Sequence, residues 1–269
     1  MSMTRLVSNL KPLEIKLRLT FTDPLLGTVP GNALVFSEHI QSKEDTGKDL
    51  QDELEFVPNE EIAKGTTWFM RNEQGPFLFD YMIRGLMKEA CGALSRDNKT
   101  ESAKLKAFKK VINGLVFVKE RALQLQVPKI DDEKKIYGLF AEKVVEHKQE
   151  DGSIRHLYER PLRAQTAQGE RTCLARSEIL PAGTSVELTL LLMKRNLKKF
   201  VFEWLGYGQY QGLCQWRNAG FGRFVTDFEI LNPEEGDDKE DVKKSKGKKD
   251  DRDADAAELE EAAADASDK

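Results

Sequence analysis

The chain has 269 residues, 39% hydrophobic and 33% charged, which is enough apolar material for one large or two modest packed units. No apolar run approaches the roughly 20 residues that a membrane-spanning helix needs, and the first residues lack a basic stretch leading into an apolar one, so a soluble cytoplasmic protein is expected. The cysteines (Cys91, Cys173, Cys214) are odd in number and far apart, and the histidines (His39, His147, His156) share no ligand spacing, which argues against a disulfide framework or a structural metal.

The formal net charge of -4 is unevenly spread: 15 acidic and 8 basic residues follow from Asn232 onward, leaving 34 basic and 31 acidic residues in a mildly basic body. Two regions result, a folded domain over 1–231 and an acidic, low-complexity tail over 232–269. The tail holds too little apolar surface to offset chain entropy and is expected to be disordered, unless it docks on the basic body.

In chain order, Ile15–Phe21 alternates Ile15, Leu17, Leu19 and Phe21 with Lys16, Arg18 and Thr20, the period of a strand with one buried and one basic face. Asp23-Pro24, Gly27 and Pro30-Gly31 end it in turns. Residues 38–64 are charged and short of apolar runs, and so read as an excursion from the core. Thr66–Met70 and Pro76–Phe79 flank Asn72–Gly75 as the arms of a hairpin, either a projecting ribbon or a flap, with Trp68 near its tip. Asp80 reads as the N-cap of a helix over Tyr81–Leu94 that places Arg84 and Lys88 one turn apart. A second helix covers about Glu101–Ile112 and is ended by Asn113-Gly114 before a short strand at Leu115–Val118.

Further on, Ile136–His147 and Ile154–Arg160 flank the turn Glu150–Ser153, and Arg171–Ser177 forms another strand, with Pro161 and Pro181 in the connections. Val186–Met193 is a strongly apolar strand. A helix begins near Asn196 and leads to a glycine-rich, aromatic and arginine-bearing loop over Gly206–Gly222, before a last strand over Phe221–Leu231. The repeated order of strand, helix and strand predicts an α/β fold: a ferredoxin-like, RRM-like antiparallel sheet with both main helices on one face and large insertions.

The Gly206–Gly222 loop following a helix, and the segment Gly75–Ala90 leading into the first helix, resemble the repeat-associated RNA-binding superfamily of CRISPR effector complexes, in particular its Cas7-like backbone proteins. The resemblance spans about residues 10–231. It departs at Phe79–Met82, where the family has a serine-serine entry to its first helix, and in the acidic tail. It implies a non-catalytic RNA-binding subunit that holds guide RNA or another single-stranded RNA, stacks as a homo-oligomer and joins other effector subunits. Arg84 and Lys88 are the contacts carried over by resemblance. The family's thumb insertion would correspond to 65–79 or to 130–165.

From the residues themselves, Lys16, Arg18, Arg84, Lys88, Arg217 and Arg223 are candidate phosphate contacts, because arginine forks match phosphate oxygens and helix-start amides reinforce them. Tyr207, Tyr210 and Trp216 are candidate stacking rings. Ordinary surface ion pairs and edge packing are the competing structural explanations. Asp23 before Pro24 is an ordinary turn pair, so no catalytic residue is assigned, and His39 beside Glu38 has no orienting partner. The spacing Gly206-x-Gly208-x-x-x-Gly212 lies after a helix and before a strand, the reverse of a dinucleotide fold, and no phosphate loop occurs, so no cofactor is expected. Cys214 reads as a packing residue. Two competing functions are a protein-interaction module that inhibits a CRISPR effector, with Trp68 or Trp216 as a contact, and a metal-independent endoribonuclease using His39 or Tyr207.

Overall fold

The computed structural model describes residues 11–30, 66–129, 137–149, 152–166 and 169–233. The described residues up to Glu229 belong to one compact unit. The excursion at 38–64, His39 and the tail beyond 233 lie outside the described residues.

The sheet that organises the fold starts with β1 (Leu13–Phe21), whose burial alternates as the sequence predicts: Leu13, Ile15, Leu17, Leu19 and Phe21 are buried, while Lys16 and Arg18 are exposed. It pairs antiparallel with β12 (Ser185–Leu192), with Leu17 opposite Leu188 and Arg18 opposite Glu187. On the other side of β12 lie β7 (Val116–Val118) and β8 (Ala122–Gln126), two halves of one interrupted strand. At the break the Thr189 amide donates to the Glu120 carboxylate at 2.8 Å, so a side chain takes over where the ladder lapses. β6 (Gly75–Phe79) and β5 (Met70–Asn72) extend the sheet, and β13 (Phe224–Ile230) closes its other edge, giving the order β13-β1-β12-β8-β6-β5.

Helices α1 (Asp80–Leu94) and α3 (Lys198–Gln211) pack together on the buried face. A Cβ at Gly208 would stand 3.0 Å from both Leu86 and Phe224, so glycine lets α3 touch α1 and β13 at once. The α/β architecture, with two sheets and helical insertions, is consistent with a ferredoxin-like core.

The second sheet runs β3 (Val29–Pro30), β4 (Thr66–Trp68), β11 (Gly169–Leu180), β10 (Ile154–Thr166) and β9 (Val144–Lys148), with β2 (Leu25–Leu26) also on β11. Arg71 of the first sheet bonds to the buried Glu178 carboxylate of the second, and Glu178 also accepts the Phe69 amide at 2.9 Å.

Several sequence expectations are corrected here. The hairpin of β5 and β6 is an edge of the main sheet, because its second strand pairs with β8 through Leu78 and Leu123. β4 belongs to the other sheet, where Trp68 is fully buried as a core residue. Asp80 is the first helical residue and Phe79 the cap position; the Asp80 carboxylate pairs instead with Arg84 and Arg121. The second helix is later and shorter, α2 (Phe108–Leu115), and it runs through Asn113-Gly114. Residues 138–143 form a 3-10 turn before β9, and Pro161 lies within β10. Gly206 and Gly208 belong to α3, so the loop begins only at Gly212.

Candidate nucleic-acid interface

Lys16 and Arg18 lie on the face of the main sheet turned away from α1 and α3, and both reach Glu187, at 3.1 and 3.6 Å. Arg84 bonds to Asp80 at 2.8 Å within α1. Lys88, one turn on, is half-buried and has no ion pair among the described residues. Its neighbour Glu89 receives Arg217 at 2.6 Å and the Gln211 amide at 3.1 Å, and Tyr207 donates to Gln211 at 3.4 Å. These contacts bring Tyr207 and Arg217 to Glu89 of α1. Tyr210 is 82% exposed.

Trp216 is 37% exposed; it stacks on Phe221 with centroids 5.7 Å apart and lies under the Arg160 guanidinium at 4.4 Å. Arg223 is exposed at the start of β13. It lines an open cleft of about 570 Å³ with Asp23, Asn218 and Tyr137. The candidates therefore do not share one surface: Arg84, Lys88, Tyr207 and Arg217 lie on or against α1, Lys16 and Arg18 on the opposite sheet face, Arg223 in this cleft, and Trp216 against Arg160 of the second sheet.

The loop glycines answer to the chain's own backbone. Gly212 and Gly222 have φ of 81° and 71°, and a Cβ on Gly222 would fall 2.0 Å from the Leu213 carbonyl oxygen. The Leu213 amide donates to the Gly222 carbonyl at 2.9 Å, and the Gly222 amide to the Pro24 carbonyl at 2.9 Å, so the two ends of the loop close on each other and on the turn after β1. Between them, desolvation pushes the Cys214 thiol up to about 12, with Arg217 opposing, so it stays a thiol at neutral pH.

Among the described residues, a further concentration of positive charge lies at the end of the helical layer formed by the C-terminus of α1, by α2 and by the start of α3. Residues 96–110 and 194–199 together carry ten basic side chains and two acidic ones, Asp97 and Glu101. The fold joins the two segments directly. Glu203 of α3 accepts the amides of Glu101 and Ser102 at 2.8 and 2.9 Å, and the Trp204 indole donates to the buried Ser102 hydroxyl at 2.9 Å. Glu101 is held between Lys104 at 2.7 Å and Lys199 at 2.6 Å. Their hydrogen bonds pull its carboxyl down to about 2. The end of α2 meets the start of the second segment, where the Met193 amide donates to the Leu115 carbonyl at 3.0 Å.

Both helices that start here lack a side-chain cap and an acidic residue in the first turn. Lys109 and Lys110 begin α2, and Lys198 and Lys199 begin α3, which sets cations against the positive ends of the helix dipoles. For stability alone this arrangement is the wrong way round; an anion at this pole relieves it. Sequence reading passed over these lysines because each run looks like a solvated helix face. The runs Lys104-Leu-Lys-Ala-Phe-Lys-Lys110 and Lys194-Arg-Asn-Leu-Lys-Lys199 were the visible signal.

No family model and no curated protein matches this chain. It has a weak, partial structural similarity to a chain in the "Cryo-EM structure of the Type III-B Cmr-beta bound to cognate target RNA", with 9% identity and a TM-score of 0.42. The alignment covers 82% of this chain and spans 61% of the length of that one. Among the described residues, no helix is long and apolar enough to cross a membrane, and no group of three or more His, Cys, Asp or Glu side chains is placed to hold a metal.

Proposed function

We propose that this protein binds single-stranded RNA through its phosphates as a non-catalytic, guide-holding subunit of a CRISPR-type ribonucleoprotein. The observation that carries the RNA-binding part is the basic pole, where ten cations gather around two uncapped helix starts. Phosphate is the anion that such an arrangement accommodates: backbone amides point outward, the dipoles add positive potential and the lysines supply mobile charge. The ferredoxin-like strand order and the resemblance in Gly75–Ala90 support the guide-holding part of the reading. Lys88, Tyr207, Tyr210, Arg217 and Arg223 extend the contact along the helical layer and into the cleft after β1. Lys16 and Arg18 offer a separate contact on the open sheet face, where each exchanges Glu187 for phosphate.

The test is to purify the full chain with and without nuclease treatment, and to determine mass and bound nucleic acid. RNA that copurifies in an assembly larger than a monomer, and an assembly that collapses on RNA digestion, are expected. A monomer that carries no RNA and fails to bind oligouridylate at low salt overturns the reading.

A further inference from the structure

Arg71, Arg84, Arg176 and Arg217 each bond to a carboxylate, but Arg160 does not. It lies on β10, is only 5% exposed, and among the described residues its side chain makes one hydrogen bond, a long one of 3.4 Å from Nη2 to the amide oxygen of Gln215. Its Nε and Nη1 are buried with no acceptor. Nη2 and Nε share one edge of the guanidinium, so the edge that grips an oxyanion with two parallel bonds is half filled, by a neutral atom. A guanidinium does not escape burial by losing its proton; it needs a counter-anion.

The surroundings are built for one. The Gln215 amide oxygen lies 3.0 Å from the Ser177 hydroxyl and 3.2 Å from the Thr67 hydroxyl, and Thr67 also donates to Ser177 at 2.8 Å, so a linked pair of hydroxyls from β4 and β11 and the Arg160 fork from β10 surround this single acceptor. The Trp216 ring covers the guanidinium, with Cζ 4.4 Å from the ring centroid. Gln215 itself sits between Cys214 and Trp216, both with positive φ, on the surface loop that follows α3. One amide oxygen stands where several oxygens of a tetrahedral anion would meet the fork and the two hydroxyls.

The geometry points to a phosphate-binding site formed by Arg160, Ser177 and Thr67, in which the Gln215 side chain is an internal stand-in that a phosphate group displaces. Resting on the RNA-binding reading, the phosphate is one from the backbone of the bound strand. The site uses the second sheet and the loop after α3, elements separate from the basic pole.

The test uses the full chain titrated with inorganic phosphate against chloride at matched ionic strength, followed by thermal unfolding and calorimetry. A saturable rise in Tm specific to phosphate is expected, lost in Arg160→Gln. In Gln215→Ala, half-saturation shifts to roughly tenfold lower phosphate, because a competing acceptor is gone. A wild-type protein indifferent to phosphate, or an Arg160→Gln protein that responds like wild type, overturns the site. Should Arg160→Gln not fold, equal half-saturation in wild type and Gln215→Ala overturns it instead.

A second arm measures binding of an oligouridylate dodecamer with and without phosphate at constant ionic strength. Competition that weakens in Arg160→Gln assigns the site to the RNA backbone. RNA binding without any phosphate effect overturns the site and leaves the RNA reading standing. Phosphate binding without RNA binding keeps the site, assigns it to free phosphate and removes the RNA reading.

Discussion

Replacing Lys106, Lys109, Lys110 and Lys194 together with glutamine separates a phosphate-binding pole from an ordinary solvated surface. All four are exposed and none has an ion-pair partner among the described residues, so the change removes four charges and no internal contact. If each lysine meets one phosphate of a single strand, the slope of log K against log salt loses about 0.7 per lysine, or about 2.8 in all. At about 0.1 M salt, a decade below a 1 M reference, that amounts to weaker binding by on the order of 10²–10³-fold. Stability moves the other way. Glutamine and lysine have similar helix propensity, and removing Lys109 and Lys110 from the first turn of α2 relieves repulsion of about 0.3–1 kcal/mol each at low salt. The assay is fluorescence anisotropy of a labelled oligouridylate dodecamer between about 50 and 400 mM potassium chloride, paired with urea unfolding. An unchanged slope and affinity, or an affinity loss that follows a loss of stability, refutes the argument.

Two further outcomes test the framework around the pole. The Glu101 carboxyl, ordinarily at 4.5, titrates near 2 because Lys104 and Lys199 bond to its charged form. Its folded value lies below its unfolded one, so its contribution to stability is full above about 4.5 and fades as pH falls toward 2. Carbon-13 NMR titration at low salt checks this, and a midpoint near the ordinary value would contradict the bridging geometry. The group faces solvent, so about 1 M salt should move the midpoint back up. Gly222→Ala places a methyl group 2.0 Å from the Leu213 carbonyl oxygen at a φ of 71°. A loss of about 2–4 kcal/mol by chemical denaturation is expected from strain and clash together, and a loss below about 1 kcal/mol would mean that the loop closure gives way easily.

The alternation in β1 was legible because successive side chains of a strand point to opposite faces, so five buried and four polar positions identify both the strand and its orientation. The apolar run of β12 was legible for the same reason, in a strand covered nearly throughout. Helix α3 was misread at its end because Gly206 and Gly208 have low helix propensity. Gly208 is nonetheless helical, since the packing of Leu86 and Phe224 leaves no room for a larger residue. Trp68 was ambiguous because a short apolar segment reads alike at a hairpin tip and in a core; pairing with β11 and β3 buries it.

The candidate site shows the same division. Residue type and spacing alone identified Lys88, Tyr207 and Arg217 as cations and rings on or after helices. That Tyr207 and Arg217 meet around Glu89 depends on α3 packing against α1. The charge of residues 96–110 and 194–199 was present in the linear chain, but periodicity placed the second helix over about Glu101–Ile112, with Lys109 and Lys110 near its end instead of at its start. Only tertiary structure placed the two runs side by side, through Glu203 and Ser102, and only it left Arg160 buried without a carboxylate. Electrostatic potential depends on distance through space, and separation along a chain does not report that distance once the chain has folded.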